Sequence, residues 1–126
     1  MADKSIIAAM DKIRAPFNVN SIAQAAAVAS LKDENFARET IVKYEENKLY
    51  LNEEFDKLGM PYIKSFTNFI MVDTKCDSKT MYVELLKKGY IVKGGHVLGM
   101  DGYLRVTIGT KEECEGFIKA LKEIIN

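Results

Sequence analysis

An unbroken helical period runs from Glu34 to Leu58 and limits the fold more than any other feature of this chain. Asp33 is placed to cap its start, and Gly59 with Pro61 stops it. Phe36, Thr40, Tyr44, Leu51, Phe55 and Leu58 recur at helical spacing. About 25 residues at 1.5 Å each make a rod roughly 37 Å long. That exceeds what a compact domain of 126 residues requires and suits a helix linking two domains. Glu45, Glu46 and Lys48 read as its solvated face, and Tyr44, Tyr50 and Tyr62 as core or interface packing.

Two shorter helices precede it. Lys4 to Ile13 places Ile6, Ile7, Met10 and Ile13 on one face, with Asp3 as cap. Pro16 forces Ala15 toward an extended backbone and breaks the pattern. Ser21-Ile22-Ala23-Gln24 has capping-box spacing and opens a second helix, about Ile22 to Leu31. That helix is apolar or small almost all round, which normally means burial on several sides. Either a neighbour from another chain or from a longer protein covers it, or it is a high-propensity alanine helix with one exposed face.

The rest reads as α+β. Tyr62 to Lys64 is a short strand, and Asn68 to Asp73 is a buried one by its β-branched and aromatic content. A helix covers Lys79 to Lys88 and stops at Gly89. Tyr90 to Lys93 is a strand, followed by a loop from Gly94 to Gly102 that holds glycines 94, 95, 99 and 102. Leu104 to Ile108 is the next strand, and Thr110 to Glu113 is a capping box for a last helix with Cys114, Phe117, Ile118, Leu121, Ile124 and Ile125 on one stripe. The expected fold is therefore N-terminal helices, then a small, mainly antiparallel sheet in β-α-β-β-α order with helices on one face. The expected divisions are 1–32, a linking helix 33–59, and a small domain 60–126.

Composition excludes several functions. Eighteen basic residues balance eighteen acidic ones, so neither nucleic acid nor an anionic membrane surface is an expected partner. No apolar run is long enough for a membrane span. Cys76 and Cys114 are the only cysteines and His96 the only histidine, which argues against a metal site and for reduced thiols in a cytoplasm.

Arg105 is the leading site candidate. Alternation along Tyr103-Leu104-Arg105-Val106-Thr107-Ile108 puts Leu104, Val106 and Ile108 on one face, and Tyr103, Arg105 and Thr107 on the other. A guanidinium held on a strand beside a glycine loop suits bidentate capture of a carboxylate or phosphate. The competing reading is an ordinary solvent-facing strand arginine. His96 reads as a substrate contact or proton shuttle near Arg105, or as a plain loop histidine, and Asp101 is the only carboxylate at useful spacing.

Two motifs resemble a known family. Arg14-Ala15-Pro16-Phe17-Asn18-Val19-Asn20 before an alanine-rich helix is similar to the start of the C-terminal region of histidinol-phosphate aminotransferases. Gly89-Tyr90-Ile91-Val92-Lys93, a glycine loop and Leu104 to Thr110 resemble its end. The likeness runs from Asp3 to Ile125, and either motif alone points to the wider fold-type I aminotransferases, which use pyridoxal phosphate. The resemblance implies that Arg105 binds the substrate's α-carboxylate. It implies that Lys93, where arginine is common, helps hold the substrate phosphate. It also places Phe17, Asn18 and Asn20 near the dimer interface and cofactor region.

The family's Schiff-base lysine and its pyridine-nitrogen aspartate lie before the matched region. The resemblance therefore implies a C-terminal fragment of a homodimeric enzyme, without its N-terminal cofactor domain. No catalytic residue and no bound cofactor are expected in the chain alone, and it is expected to be inactive. The alternatives are another fold-type I aminotransferase or a free-standing regulatory module that binds an amino acid or small acid through Arg105. A weaker third reading is an interaction domain built on the alanine-rich helix.

Overall fold

The computed structural model describes residues 2–16 and 18–125. The chain forms two compact units, Met1–Arg38 and Glu39–Asn126, so the long helix is divided between them.

In the first unit, α1 spans Lys4–Ile13 and α2 spans Ser21–Lys32. Asp3 caps α1 by accepting from the Ser5 N–H. The start of α2 departs from expectation. Asn20 is the cap, its Oδ1 accepting from the Ala23 N–H at 2.8 Å, and Ser21 is the first helical residue. Gln24 donates from Nε2 to the Val19 carbonyl instead of closing a box with Ser21. A short carboxamide reaches the first free amides as well as a hydroxyl does, and Asn20 stands one residue nearer the turn. Neither helix has a buried residue, and Ile22 and Leu31 are 80% and 82% exposed.

α3 runs Glu34–Lys57, with the Asp33 carboxylate accepting from Phe36 N. In the second unit its inward face is Lys48, Leu51, Glu54 and Phe55, a helical i, i+3, i+4 pattern. Against the expectation of a solvated position, the Lys48 side chain is 11% exposed, with its ammonium 2.6 Å from Glu45. The stem lies along the core while the charge meets a carboxylate. Glu54 is buried too, and accepts from Lys122 of the last helix and from Lys57.

Four strands come next, with two helices: β1 Tyr62–Ile63, β2 Phe69–Asp73, α4 Ser78–Lys87, β3 Lys93–Gly94, β4 Tyr103–Thr107 and α5 Lys111–Ile125. The sheet order is β1-β2-β4-β3, antiparallel throughout. Ile70, Val72, Leu104 and Val106 are buried in one core with Leu51, Phe55, Leu85, Phe117 and Leu121 from the helices. The opposite sheet face stays half-open. The expected capping box forms, with Thr110 N donating to Glu113 and Glu113 N to Thr110 Oγ1. Cys114 is buried and Cys76 exposed.

The third strand is shorter than its sequence suggests. Gly89 takes φ +88°, its N–H bonds the Leu86 carbonyl, and the Tyr90 N–H bonds that of Leu85. These are the two bonds that close a helix through a left-handed residue. Tyr90 then turns edge-on to Phe117, with ring centres 6.1 Å apart. The helix end thus takes the backbone that a strand from Tyr90 would need, and pairing starts only at Lys93.

Candidate functional site

Strand register builds the site. Arg105 lies opposite Met71 on one side and Lys93 on the other, and Met71 lies opposite Ile63. Directly paired residues share a face, their Cβ atoms about 5 Å apart. Ile63, Met71, Arg105 and Lys93 therefore form one row across the open face of the sheet. Phe69 stands on the same face two pairs along, opposite Thr107. The guanidinium carbon of Arg105 sits 4.0 Å from the centre of the Phe69 ring. Stacking on an aromatic face fixes the guanidinium plane while leaving its N–H edge free.

Electrostatics make the row unusual. Like charges directly opposite one another destabilise a sheet. Among the described residues neither Arg105 nor Lys93 has a carboxylate within ion-pair distance, while eight other cation–carboxylate contacts form. Asp73, on the same face opposite Tyr103, has its carboxylate engaged with the Lys75 N–H at 2.8 Å. Two cations thus stand side by side, Arg105 half-buried and Lys93 exposed. An anion between them would relieve their repulsion and accept from both.

The other predicted residues belong to the first unit. Asn18 Oδ1 accepts from Arg14 Nε at 3.0 Å, and Asn20 caps α2. Both side chains are in local use, and Phe17 lies outside the described residues.

Two contributors escape a reading of the sequence. Phe69 reads there only as strand core, although its alternate position aligns it with Arg105. Ser78 gives no signal beyond its place at a helix start, next to the cap Asp77. Its hydroxyl is fully buried and bonds the Asp101 carboxylate at 2.6 Å, while the His96 backbone N–H donates to it at 3.1 Å. His96 Nδ1 lies 3.2 Å from the same oxygen. This is no hydrolytic triad, because the carboxylate holds the serine instead of the imidazole and the oxygen is sealed from solvent.

Pyridoxal phosphate requires a lysine that sheds its proton to form an imine. Lys48 is the one buried lysine among the described residues, and its ammonium is ion-paired with the Glu45 carboxylate at 2.6 Å. No lysine among the described residues fits as the cofactor's anchor. Among the same residues there is no cluster of metal-ligating side chains and no helix long and apolar enough to cross a membrane.

The pattern of the family Aminotransferase class I and II matches residues 1–121, and the chain belongs to that family. Within it, the chain is similar to the histidinol-phosphate aminotransferase of Moorella thermoacetica, 46% identical over 125 residues, 99% of this chain and 32% of that one. It is also similar to histidinol-phosphate aminotransferase 2 of Carboxydothermus hydrogenoformans, 42% identical over 124 residues, 98% of this chain and 34% of that one. Among solved structures, the Clostridium acetobutylicum histidinol-phosphate aminotransferase superposes with a TM-score of 0.83 at 25% identity, covering 97% of this chain and 38% of that chain. The Sinorhizobium meliloti enzyme, in complex with pyridoxal-5'-phosphate, gives 0.78 at 27% identity, covering 93% and 33%. The chain spans about a third of the length of the curated relatives it matches.

Proposed function

We propose that this chain is the C-terminal, substrate-gripping part of a cytoplasmic, homodimeric histidinol-phosphate transaminase. The enzyme would move an amino group between histidinol phosphate and the 2-oxoglutarate/glutamate pair. The observation that carries the reading is the Arg105 guanidinium, without a carboxylate partner among the described residues, set over the Phe69 ring with Lys93 opposite.

Arg105 receives the carboxylate of glutamate or 2-oxoglutarate through two parallel N–H bonds. With histidinol phosphate, the dianion draws on both Arg105 and Lys93, and the lysine serves as a point charge without a fork. The stacked guanidinium fixes the substrate's orientation, so that its reacting C–H bond is presented in one direction. Pyridoxal phosphate, held by residues outside this chain, supplies the electron sink. Asn18 and Asn20, with Phe17, are assigned to the neighbourhood of the cofactor and the dimer interface.

The test is a chimera in which this chain replaces the matching segment of the Moorella thermoacetica enzyme. It is expected to transaminate histidinol phosphate, and Arg105→Ala is expected to lower kcat/KM for both amino donors by about 100-fold, the worth of a lost bidentate ion pair. A chimera that binds cofactor yet ignores histidinol phosphate, or that is indifferent to Arg105→Ala, would refute the proposal.

The second unit has its own core, which favours one alternative, a free-standing module for small acids. Tight, saturable calorimetric binding of an amino acid by the isolated chain, abolished by Arg105→Ala, would support that module instead.

A further inference from the structure

We propose that Ser78 is a positioning residue, whose buried hydroxyl, bonded between Asp101 and His96, hooks the glycine loop onto α4 and thereby holds Lys93 opposite Arg105. The inference rests on the anion-site reading above and adds the device that sets its geometry.

Lys93 needs such a device. β3 is two residues long, Lys93–Gly94, and a ladder that short does little to fix a strand. The chain before it is taken by the end of α4. The chain after it makes a single 3₁₀ turn, Gly95–Leu98, and then runs on through Gly99 to Gly102. Ser78 grips this segment twice, at the His96 backbone and at the Asp101 carboxylate. Packing supports the grip. A methyl group on Gly94 would come within 2.6 Å of the His96 imidazole and 3.1 Å of the Ser78 carbonyl oxygen. Only glycine lets β3 approach α4 this closely.

Counting protons gives a signature that loop packing alone would not produce. A serine hydroxyl has one proton and two acceptor sites, and an ionised carboxylate only accepts. The Ser78 hydroxyl lies 2.6 Å from the Asp101 carboxylate, so the serine proton points to Asp101, and this bond, then the Gly102 N–H, holds the Asp101 carboxyl below its ordinary value. One acceptor site takes the His96 N–H. The other faces His96 Nδ1 and bonds it only if that nitrogen carries a proton. His96 is therefore an Nδ1–H imidazole, because the partner of one ring nitrogen decides the tautomer. Asp77, the cap of α4, is the other carboxylate facing this loop, and its own carboxyl is held low first by its hydrogen bonds to Thr80 and only last by the His96 ring.

The experiment uses the isolated 126-residue chain, whose single histidine yields one set of ring signals. At pH about 8.5, where an ordinary imidazole is neutral, nitrogen NMR is expected to show the Nδ1–H tautomer. Ser78→Ala should return it to the Nε2–H form. Asp101→Ala, at an exposed position, should do the same if Ser78→Ala fails to fold. In either variant the amides of the β3–β4 pairs should exchange at least tenfold faster while those of β2–β4 keep their rates. Inorganic phosphate should shift the Lys93 and Arg105 signals weakly in the wild type, and roughly fivefold more phosphate should be needed in the variants. An Nε2–H tautomer in the wild type, or unchanged β3–β4 exchange in both variants, would overturn the latch. If both latch signatures are present and phosphate shifts neither cation, the anion-site reading falls, and the positioning role with it.

Discussion

Replacing Glu54 by alanine is expected to destabilise the chain by about 1–2 kcal/mol near neutral pH, with a pH dependence of known sign. Glu54 is 7% exposed and accepts from Lys122 at 2.5 Å and Lys57 at 2.6 Å, so it ties α3 to α5. Breaking a fully buried pair costs about 3–5 kcal/mol. Here the lysine side chains are 42% and 64% exposed and turn to water once the carboxylate is gone. That brings the cost down toward the exposed-pair range, hence about 1–2 kcal/mol.

The hydrogen bond from Lys122, then that from Lys57, holds the Glu54 carboxyl below its ordinary value in the folded state. The unfolded chain therefore binds more protons between the folded and unfolded values, and stability rises with pH across that window. The contribution is complete above the ordinary glutamate value of 4.5 and is lost as pH falls through it toward the folded one. Urea denaturation of wild type and Glu54→Ala from about pH 3 to about pH 7 measures this. The two stabilities should converge at the acid end. A constant gap across the series, or none at neutral pH, would refute the reasoning.

Gly89→Ala should cost about 1–2 kcal/mol in the same denaturation assay, because an L-residue resists φ +88°. In the chimeric enzyme, Phe69→Leu should raise KM for the anionic substrates about threefold to fivefold with little change in kcat. Leucine keeps bulk on that face and removes only the ring that orients Arg105.

Much of the fold is readable along the chain. The ends of α1 and α3 and the capping box of α5 follow from side chains three or four residues apart, and helix caps are local chemistry. The alternation that turns Arg105 away from Leu104 and Val106 is equally local. The readings that needed correction involve competition for a partner or burial by distant segments. Tyr90 has β character, yet its amide goes to the end of α4. Lys48 looks solvated because nothing in its own helix shows that the rest of the second unit closes over α3 there.

That a guanidinium rides on a strand and points away from the core is written in six consecutive residues, since side-chain alternation is a property of neighbours along the chain. What stands beside it is not written there: Lys93 across the ladder, Phe69 against the guanidinium, and Ser78 holding the loop that carries the lysine. These neighbours come from segments separated by helices and loops. Which of them meet is settled by strand register and shared burial, energies that exist only after the chain has closed on itself.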